Sequence, residues 1–432
     1  MWKVGRGWVS LIKPGKEGAH KLDMSIKHNL RENVLAKLDS STNIDDSEVM
    51  KVIDECLMKE TEGEYVPLKE KILLKKEVFN SIRRYDVLSE ILEDDEVTEV
   101  MINDYNNIYV EKAGRIYKEN RCFESREKLM TVVQSIVSRT NRRVNDSNPI
   151  ADAILPDGSR VNIVLGGVSC DGTTVTVRKF PKRIMGMEEL IALETIDRET
   201  AEFLGKLVKA GYNIFISGGT GAGKTTFLNA LSGYIPQDER VITIEDSAEL
   251  RIRGIKNLVR LEARTGNVEG ENAITIRDLI RTSLRMRPDR IIVGEVRDEA
   301  AIDMLSAMNT GHDGSISTGH ANSAEDMMRR LESMVLMGAP LPILAIRQQI
   351  ASAIDIVIHL GRLRDRSRKV LGISEVIGMK DGEIILSRLY EFEEQKETEG
   401  RIIGKLKKAN DLMHIGKLAS AGLLTIAREE GA

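Results

Sequence analysis

"YNIFISGGTGAGKTT", residues 212–226, decides the fold. A short apolar strand pattern runs into Gly218, Gly219, Thr220, Gly221, Ala222, Gly223, Lys224, Thr225 and Thr226, and a helical pattern follows. Gly218, Gly223, Lys224 and Thr225 fill the GxxxxGK[ST] spacing without a gap. Glycines at these places let backbone N–H groups wrap a phosphate chain. A lysine at 224 reaches the β- and γ-oxygens, and the hydroxyl of Thr225 is the candidate Mg²⁺ ligand. The segment therefore predicts a strand–loop–helix unit that binds ATP with Mg²⁺. The bland reading is a glycine-rich turn between strand and helix.

Outward from the loop, residues 183–392 alternate strand and helix patterns. The strands are "YNIFIS", "RVITIE", "NLVRLE", "RIIVGE", "GSISTG" and "DIVIHL". That alternation predicts an α/β domain with a mainly parallel sheet under covering helices. Ligands of such sheets collect at the carboxyl ends of the strands. The ends carry the loop itself, Glu245 with Asp246, Glu295, and His320. In "RIIVGEVRD", residues 290–298, Gly294 and then Glu295 stand where many P-loop enzymes have an Mg²⁺-holding Asp. Glu295 is the first candidate to polarise an attacking water, and Glu245 the second. His320 reads as a polar switch near the terminal phosphate. His312 lies eight residues earlier. A strand of that length separates the two by roughly 25 Å, which argues against a shared metal. Arg277, Arg281 and Arg285 form one helical stripe opposite Ile276, Leu279 and Ile280, either a solvated face or a contact with a neighbouring subunit. Thr275 with Asp278, and Ser323 with Asp326, have the spacing of helix caps.

The chain has 432 residues, enough for two or three domains. Residues 1–65 read as a helical N-terminal segment. Trp2 and Trp8 sit there among Lys3, Arg6, Lys13 and Lys16, as a tail or a docking arm. Residues 66–182 read as a smaller α+β domain, with strands in "VTEVMIN", "NNIYVEKAG", "LPDGSRVNIVL" and "DGTTVTVRKF" and a helix in "SREKLMTVVQSIVSRTN". "PKRIMGMEELI" reads as a linker, "FEEQKETEG" as a charged break, and residues 393–432 as a C-terminal extension with a helix or two. A net charge of −4 and 4% aromatic residues give no support to nucleic-acid binding. The three cysteines are far apart, so no zinc knuckle is expected. No run of 18 apolar residues exists, and a cytoplasmic setting fits.

Together, "RRYDVLSEILEDDEVTEVMIN", "LPDGSRVNI", "TVRKF", "GGTGAGKTT", "IEDSAEL", "RMRPDRIIVGEVR" and "MNTGHDGSISTGHANS" resemble the secretion-superfamily ATPases, hexameric motors of type II and type IV secretion and type IV pili. The branch most similar is the Tad (Flp) pilus assembly ATPase of the CpaF or TadA type. The resemblance spans roughly residues 66–392. It implies a RecA-like P-loop core, an Asp box at residues 245–249, an atypical Walker B around Gly294 and Glu295, and a His box from His312 to His320. Such a Walker B leaves Mg²⁺ to the loop hydroxyl, phosphate oxygens and water, which suits an ion that keeps several waters. The resemblance also implies a homohexamer working with inner-membrane platform proteins from the cytoplasmic face. N-terminal-domain arginines would reach the nucleotide, with Arg160 and Arg178 as candidates. Ile154 stands where many relatives have Arg, "VLGGVSCDG" lacks a proline pair, and Asp298 and Glu299 replace a glycine-rich pair. The rival readings are a VirB11-class type IV secretion ATPase, a RecA-like nucleic-acid motor, and a nucleotide-gated scaffold with little turnover.

Overall fold

The run from Ile214 to Gly218 is buried throughout, as a strand covered on both faces requires. The structure, a computed structural model, describes residues 16–38, 44–62, 65–139, 143–180, 184–264, 266 and 272–424. Trp2, Trp8, Lys3, Arg6 and Lys13 lie outside them. The chain divides into two units, Met1–Phe180 and Pro181–Ala432.

In the first unit, α1 (Lys16–Lys37), α2 (Asp46–Glu60) and α3 (Leu68–Arg83) bury Leu30, Val34, Ile53, Leu74 and Val78 against one another. The helical cluster thus extends past residue 65 to include α3. Then follow α4 (Val87–Glu93), β1 (Val97–Asn103), β2 (Ile108–Lys112), β3 (Arg115–Lys118), α5 (Arg126–Ser138), β4 (Ile150–Ile154), β5 (Arg160–Val164) and β6 (Thr174–Arg178). The strands form an antiparallel sheet in the order β3-β2-β1-β6-β5-β4. One face packs on the apolar sides of α4 and α5. Alternation leaves Ile154, Arg160, Arg178 and Glu99 in one row on the other face. Arg160 and Arg178 are direct cross-strand partners. Asp157 holds the turn before β5 by accepting from Ser159 N (2.9 Å), with Gly158 at φ +89°.

The second unit begins with α6 (Met187–Ala192), whose Met187 and Leu190 are core residues, so part of the expected linker is packed helix. It continues with α7 (Arg198–Lys209), β7 (Ile214–Gly218), α8 (Lys224–Ser232), β8 (Arg240–Glu245), β9 (Asn257–Glu262), α9 (Ile276–Ser283), β10 (Arg290–Val293), α10 (Ala300–Asn309), β11 (Ile316–His320), α11 (Ala324–Gly338), α12 (Ile343–Ala353) and β12 (Ile356–Arg362). The six strands expected from sequence all form, and all six run parallel, in the order β12-β7-β11-β10-β8-β9. Ile214 and Ile216 face a layer of α6, α7 and α8, whereas Phe215 faces α9 to α12.

The sheet does not end at β12. It continues antiparallel through β13 (Arg368–Lys380), β14 (Glu383–Thr398) and β15 (Arg401–Lys408) before the short α13 (Gly416–Ser420). The sheet is therefore mixed. The expected charged break is the outer half of β14, whose residues 393–398 are exposed. Turns with positive φ at Asp381–Gly382 and Glu399–Gly400 join these strands.

Asn213 fixes the amino end of β7. Its side chain donates to Met308 O (3.3 Å) and Ala353 O (2.8 Å) and accepts from Gly314 N (2.9 Å) and Ser315 N (3.1 Å). Its own N–H donates to Asp355 Oδ2 (2.7 Å). The C-terminal residues dock at the same edge. Buried Glu375 accepts from Met413 N (2.8 Å), His414 N (2.7 Å) and His414 Nδ1 (2.8 Å). Lys417 Nζ bridges Asp355 (2.7 Å) and Asp313 (2.8 Å). Among the described residues no single helix is long and apolar enough to cross a membrane.

Removing the Glu375 carboxylate leaves three donors without their acceptor. Glu375→Ala is expected to lose about 2–4 kcal/mol in denaturant unfolding of the full chain. Limited proteolysis should then cut within residues 409–424 faster than in the parent, with Glu375→Gln in between. Unchanged cleavage would show that this contact does not hold the segment.

Candidate active site

Gly218 ends β7 where no side chain fits, because a Cβ there would lie 2.5 Å from Leu360 O. The loop then turns through Gly221 (φ +70°) and Gly223 (φ +94°), and α8 starts at Lys224. The first amides of α8 have no partner within the helix and point at the loop, a ready anion site. Lys224 is buried, and its Nζ donates to Gly218 O and Gly219 O, both at 3.1 Å.

Parallel pairing brings the ends of β11 and β10 to this loop. His320 is the register partner of Gly218, and Val293, just before Gly294, pairs with Ser317. His320 Nδ1 lies 3.2 Å from Lys224 Nζ. An ammonium can only donate, so Nδ1 accepts and a neutral ring carries its proton on Nε2. Burial and the Lys224 charge hold the His320 pKa below its ordinary value, against the pull of Glu295. Nε2 is 2.9 Å from Glu295 Oε1. That contact is not aligned as a hydrogen bond, so Oε1 is buried and accepts none among the described residues. Glu295 Oε2 accepts from Arg297 Nη2 (2.8 Å), and Arg297 Nη1 lies 3.7 Å from Asp246 Oδ2. Burial pushes the Glu295 pKa up. The Arg297 bond and charge, with His320 and Lys224, outweigh that and hold it below its ordinary value.

Glu245 sits differently. Its Oε1 accepts from Glu249 N (2.9 Å) and Leu250 N (2.7 Å), which folds residues 246–250 back over the strand end. Burial pushes its pKa up to about 7, against those two amide bonds and the charge of Arg260. A Cβ at Gly294 would lie 3.0 Å from Glu245 Cγ. The volume a strand-end side chain at 294 would take is already filled from the neighbouring strand, which gives Gly294 a steric reason. Gly294 N–H donates to Ile244 O (2.8 Å) and Thr318 Oγ1 to Gly294 O (2.7 Å).

Of the residues singled out in the sequence, Lys224, Glu295 and His320 converge, and Glu245 lies beside them with one carboxylate oxygen turned into its own loop. His312 is at the other end of β11, with Nδ1 donating to Ala307 O (3.1 Å). Arg277 and Arg281 both pair with Asp303 (2.7 and 2.9 Å), so much of that stripe ties α9 to α10. Arg160 and Arg178 belong to the first unit, where Arg178 Nε is 3.8 Å from Glu99 Oε1. Sequence reasoning gave no role to Arg297, although the quoted strand contained it. It also missed the turn between β12 and β13. Arg368 Nε donates to Gly221 O (2.9 Å), and a cavity of about 260 Å³ opens there between Arg366, Leu193, Leu190 and Phe227. Nothing in local pattern links residue 368 to a loop so far upstream. Among the described residues no group of three or more His, Cys, Asp or Glu could hold a metal ion. Mg²⁺ could still fit as a water-rich ion on bound phosphate, with Thr225 as its protein hydroxyl.

The family described as Type II/IV secretion system protein matches residues 84–406. A Mycobacterium tuberculosis protein assigned provisionally to conjugal transfer is 34% identical over 304 residues, covering 69% of this chain and 86% of that protein. The type IV secretion system protein PtlH of Bordetella pertussis is 35% identical over 292 residues, covering 60% and 86%. Among solved structures, the pilus retraction motor PilT with bound ADP aligns with a TM-score of 0.50 at 20% identity, covering 78% of this chain and 86% of that one. That likeness bears on the fold alone.

The Glu245–Gly294 packing has two measurable consequences. Gly294→Ala should destabilise the chain by about 1–3 kcal/mol through overpacking, and Glu245→Asp in the same chain should recover part of it; additive losses would refute the contact. Glu245 binds its proton more tightly folded than unfolded, so its contribution falls as pH rises from the unfolded value through about 7. Glu245→Gln keeps the accepting oxygen without the charge. Its melting temperature relative to the parent should therefore climb between about pH 5 and pH 8, and a pH-independent difference would contradict the burial of the charge.

Proposed function

Because the chain belongs to the type II/IV secretion system protein family, we propose that it is an ATP-hydrolysing motor with a RecA-like P-loop core, working as a homohexamer in a pilus or secretion machine. The observation that carries the reading is the convergence on the P-loop of a buried lysine, a neutral histidine and a carboxylate with one oxygen free to accept. Phosphate oxygens can replace the Gly218 and Gly219 carbonyls as partners of Lys224 and take the amides at the start of α8. Mg²⁺ held by Thr225, phosphate and water would offset the charge of the triphosphate. Glu295 Oε1 accepts a hydrogen bond from the attacking water. The water oxygen bonds to the γ-phosphorus as the bond to the bridging oxygen breaks, giving ADP and phosphate. His320 Nε2 stands beside Glu295 Oε1 without a hydrogen bond to it, and Arg297 holds the other carboxylate oxygen. The cavity beside Phe227 and Arg366 suits the base. Arg160 and Arg178, neighbours on one open sheet face, would add positive charge to the nucleotide from the N-terminal domain, in cis or from a neighbouring subunit.

The sequence motifs favour a Tad (Flp) pilus machine, with inner-membrane platform proteins as partners on the cytoplasmic side. The relatives named for conjugal transfer and type IV secretion support the VirB11-class alternative on the same chemistry. Capture of the full chain by Tad platform proteins, against type IV secretion channel components, would separate the two machines.

For the chemistry, Lys224→Ala is expected to abolish nucleotide binding by calorimetry. Glu295→Gln should bind ATP and release phosphate at least ~100-fold more slowly. Parent-like turnover in both variants would sink the reading. Mixing Arg160→Ala with Glu295→Gln subunits should restore part of the activity if the arginine acts across a subunit boundary, and no recovery in confirmed mixed rings would rule that out.

A further inference from the structure

A second cavity, of about 460 Å³, opens on the other side of the P-loop. Gly219 and Thr220 form its loop wall, and His320 and Asn322 its floor. Asp326, Arg329, Arg330 and Ser333 of α11 close it. Their spacing of three, four and seven residues puts all four on one helix face. Two guanidinium groups therefore look onto the P-loop beside the end of β11. Only one carboxylate opposes them. Asp326 is 3.4 Å from Arg329, whose side chain is 75% exposed. Arg330 has no ion pair among the described residues. Its charge reaches His320, which itself touches Lys224. The remaining polar lining, Thr220, Asn322 and Ser333, offers neutral donors.

Both cavities beside the loop carry two arginines, and they differ in their other walls. The one at Phe227 adds Leu190, Leu193 and Leu360 to Arg366 and Arg368, apolar surface that a base can lie against. The one at Arg330 has almost no apolar side chain and sets its arginines among polar groups. A nucleotide that lays its base in the first directs its charged end toward the second.

We propose that Arg330, assisted by Arg329, forms a subsite for the terminal phosphoryl group of the triphosphate, so that each core distinguishes triphosphate from diphosphate with its own cations. This rests on the nucleotide-binding reading above and adds to it a recognition role for α11. Free phosphate, the product, shares the chemistry and would use the same donors.

The test is calorimetry on the full chain with Mg²⁺, using the β,γ-imido analogue of ATP, ADP alone, and inorganic phosphate added to the ADP complex. Arg330→Ala should weaken the imido triphosphate ~10-fold or more, the size of one lost charge-assisted hydrogen bond. ADP should stay within about twofold. Arg330→Lys should recover part of the loss, and Arg329→Ala should show a smaller one. Phosphate binding to the ADP complex, lost in Arg330→Ala, would extend the subsite to the free product. Its absence from the parent would restrict the subsite to the triphosphate. Equal weakening of both nucleotides, or of neither, would overturn the proposal. So would an altered ring size with unchanged discrimination, which would assign Arg330 to a subunit contact. A parent chain that binds neither nucleotide would fail earlier, at the P-loop reading, and the subsite would fall with it.

Discussion

The side-chain amide of Asn213 is the contact on which the catalytic edge depends. It is buried, and all four of its hydrogen-bonding positions are used, on the end of α10, the last turn of α12 and the entry to β11. A strand pair that slipped by one residue would turn each side chain to the opposite face. Here a slip would also strand a buried amide without partners, at the full desolvation cost. The register of β7 with β11 and β12 is therefore set at their amino ends. Five residues on, the same register delivers His320 opposite Gly218 and Leu360 against the glycine that opens the P-loop. Geometry at the phosphate end is inherited from hydrogen bonds at the other.

At the phosphate end the polar groups neutralise one another in a chain. Lys224 rests on loop carbonyls and against a neutral imidazole, Glu295 on Arg297, and Arg297 near Asp246. The Arg297 pairs are partly exposed, so each is worth little alone, and the buried Lys224 rests on carbonyls and not on a carboxylate. That makes them exchangeable, because a phosphate oxygen can replace a carbonyl on Lys224 without leaving a buried charge unpaired. Glu245 follows the opposite rule. Its oxygen is committed to two backbone amides, and its bulk occupies the site where Gly294 has no side chain. The missing strand-end carboxylate of the usual P-loop pattern is thus matched by a loop clamp reaching over from β8.

The P-loop and the six parallel strands were legible because their signals are local. Uninterrupted apolar runs of strand length need cover on both faces, and glycine spacing marks the phosphate turn. The antiparallel extension was illegible for a related reason. Beyond Phe392 the strand β14 leaves the covered sheet, its residues face water, and charge replaces the apolar pattern. Only Asp381–Gly382 and Glu399–Gly400 announced the turns. The start of the helical cluster was readable, but its assignment was not, since α3 belongs with α1 and α2 through packing between distant segments. In the site, residue type was enough to nominate Lys224, Glu295 and His320. It ranked Glu295 ahead of Glu245, but both end strands, and only side-chain direction shows how differently the two are held. Arg330 and Arg368 line the cavities beside the loop from a helix face and a hairpin that sequence spacing relative to the P-loop does not encode, whereas Arg297, in the loop two residues after Glu295, was in plain view and only its contact was not.

The two edges of the core therefore carry different kinds of bond. The amino edge is tied by two buried, fully used groups, Asn213 and Glu375 with the docked residues 413–414, and by a half-exposed bridge from Lys417 to Asp313 and Asp355. Breaking either buried group leaves partners unsatisfied, so that edge resists change. The carboxyl edge is tied by half-exposed ion pairs and by backbone carbonyls, for which a phosphate chain is an equal or better partner. The motor function proposed above requires such a division. Contacts that respond to the nucleotide must rearrange at modest cost, while the sheet that carries them keeps its register. Placing the docked C-terminal segment at the amino edge adds stiffness where register is set and leaves the strand ends around Glu295, His320 and Arg297 free to answer the phosphate.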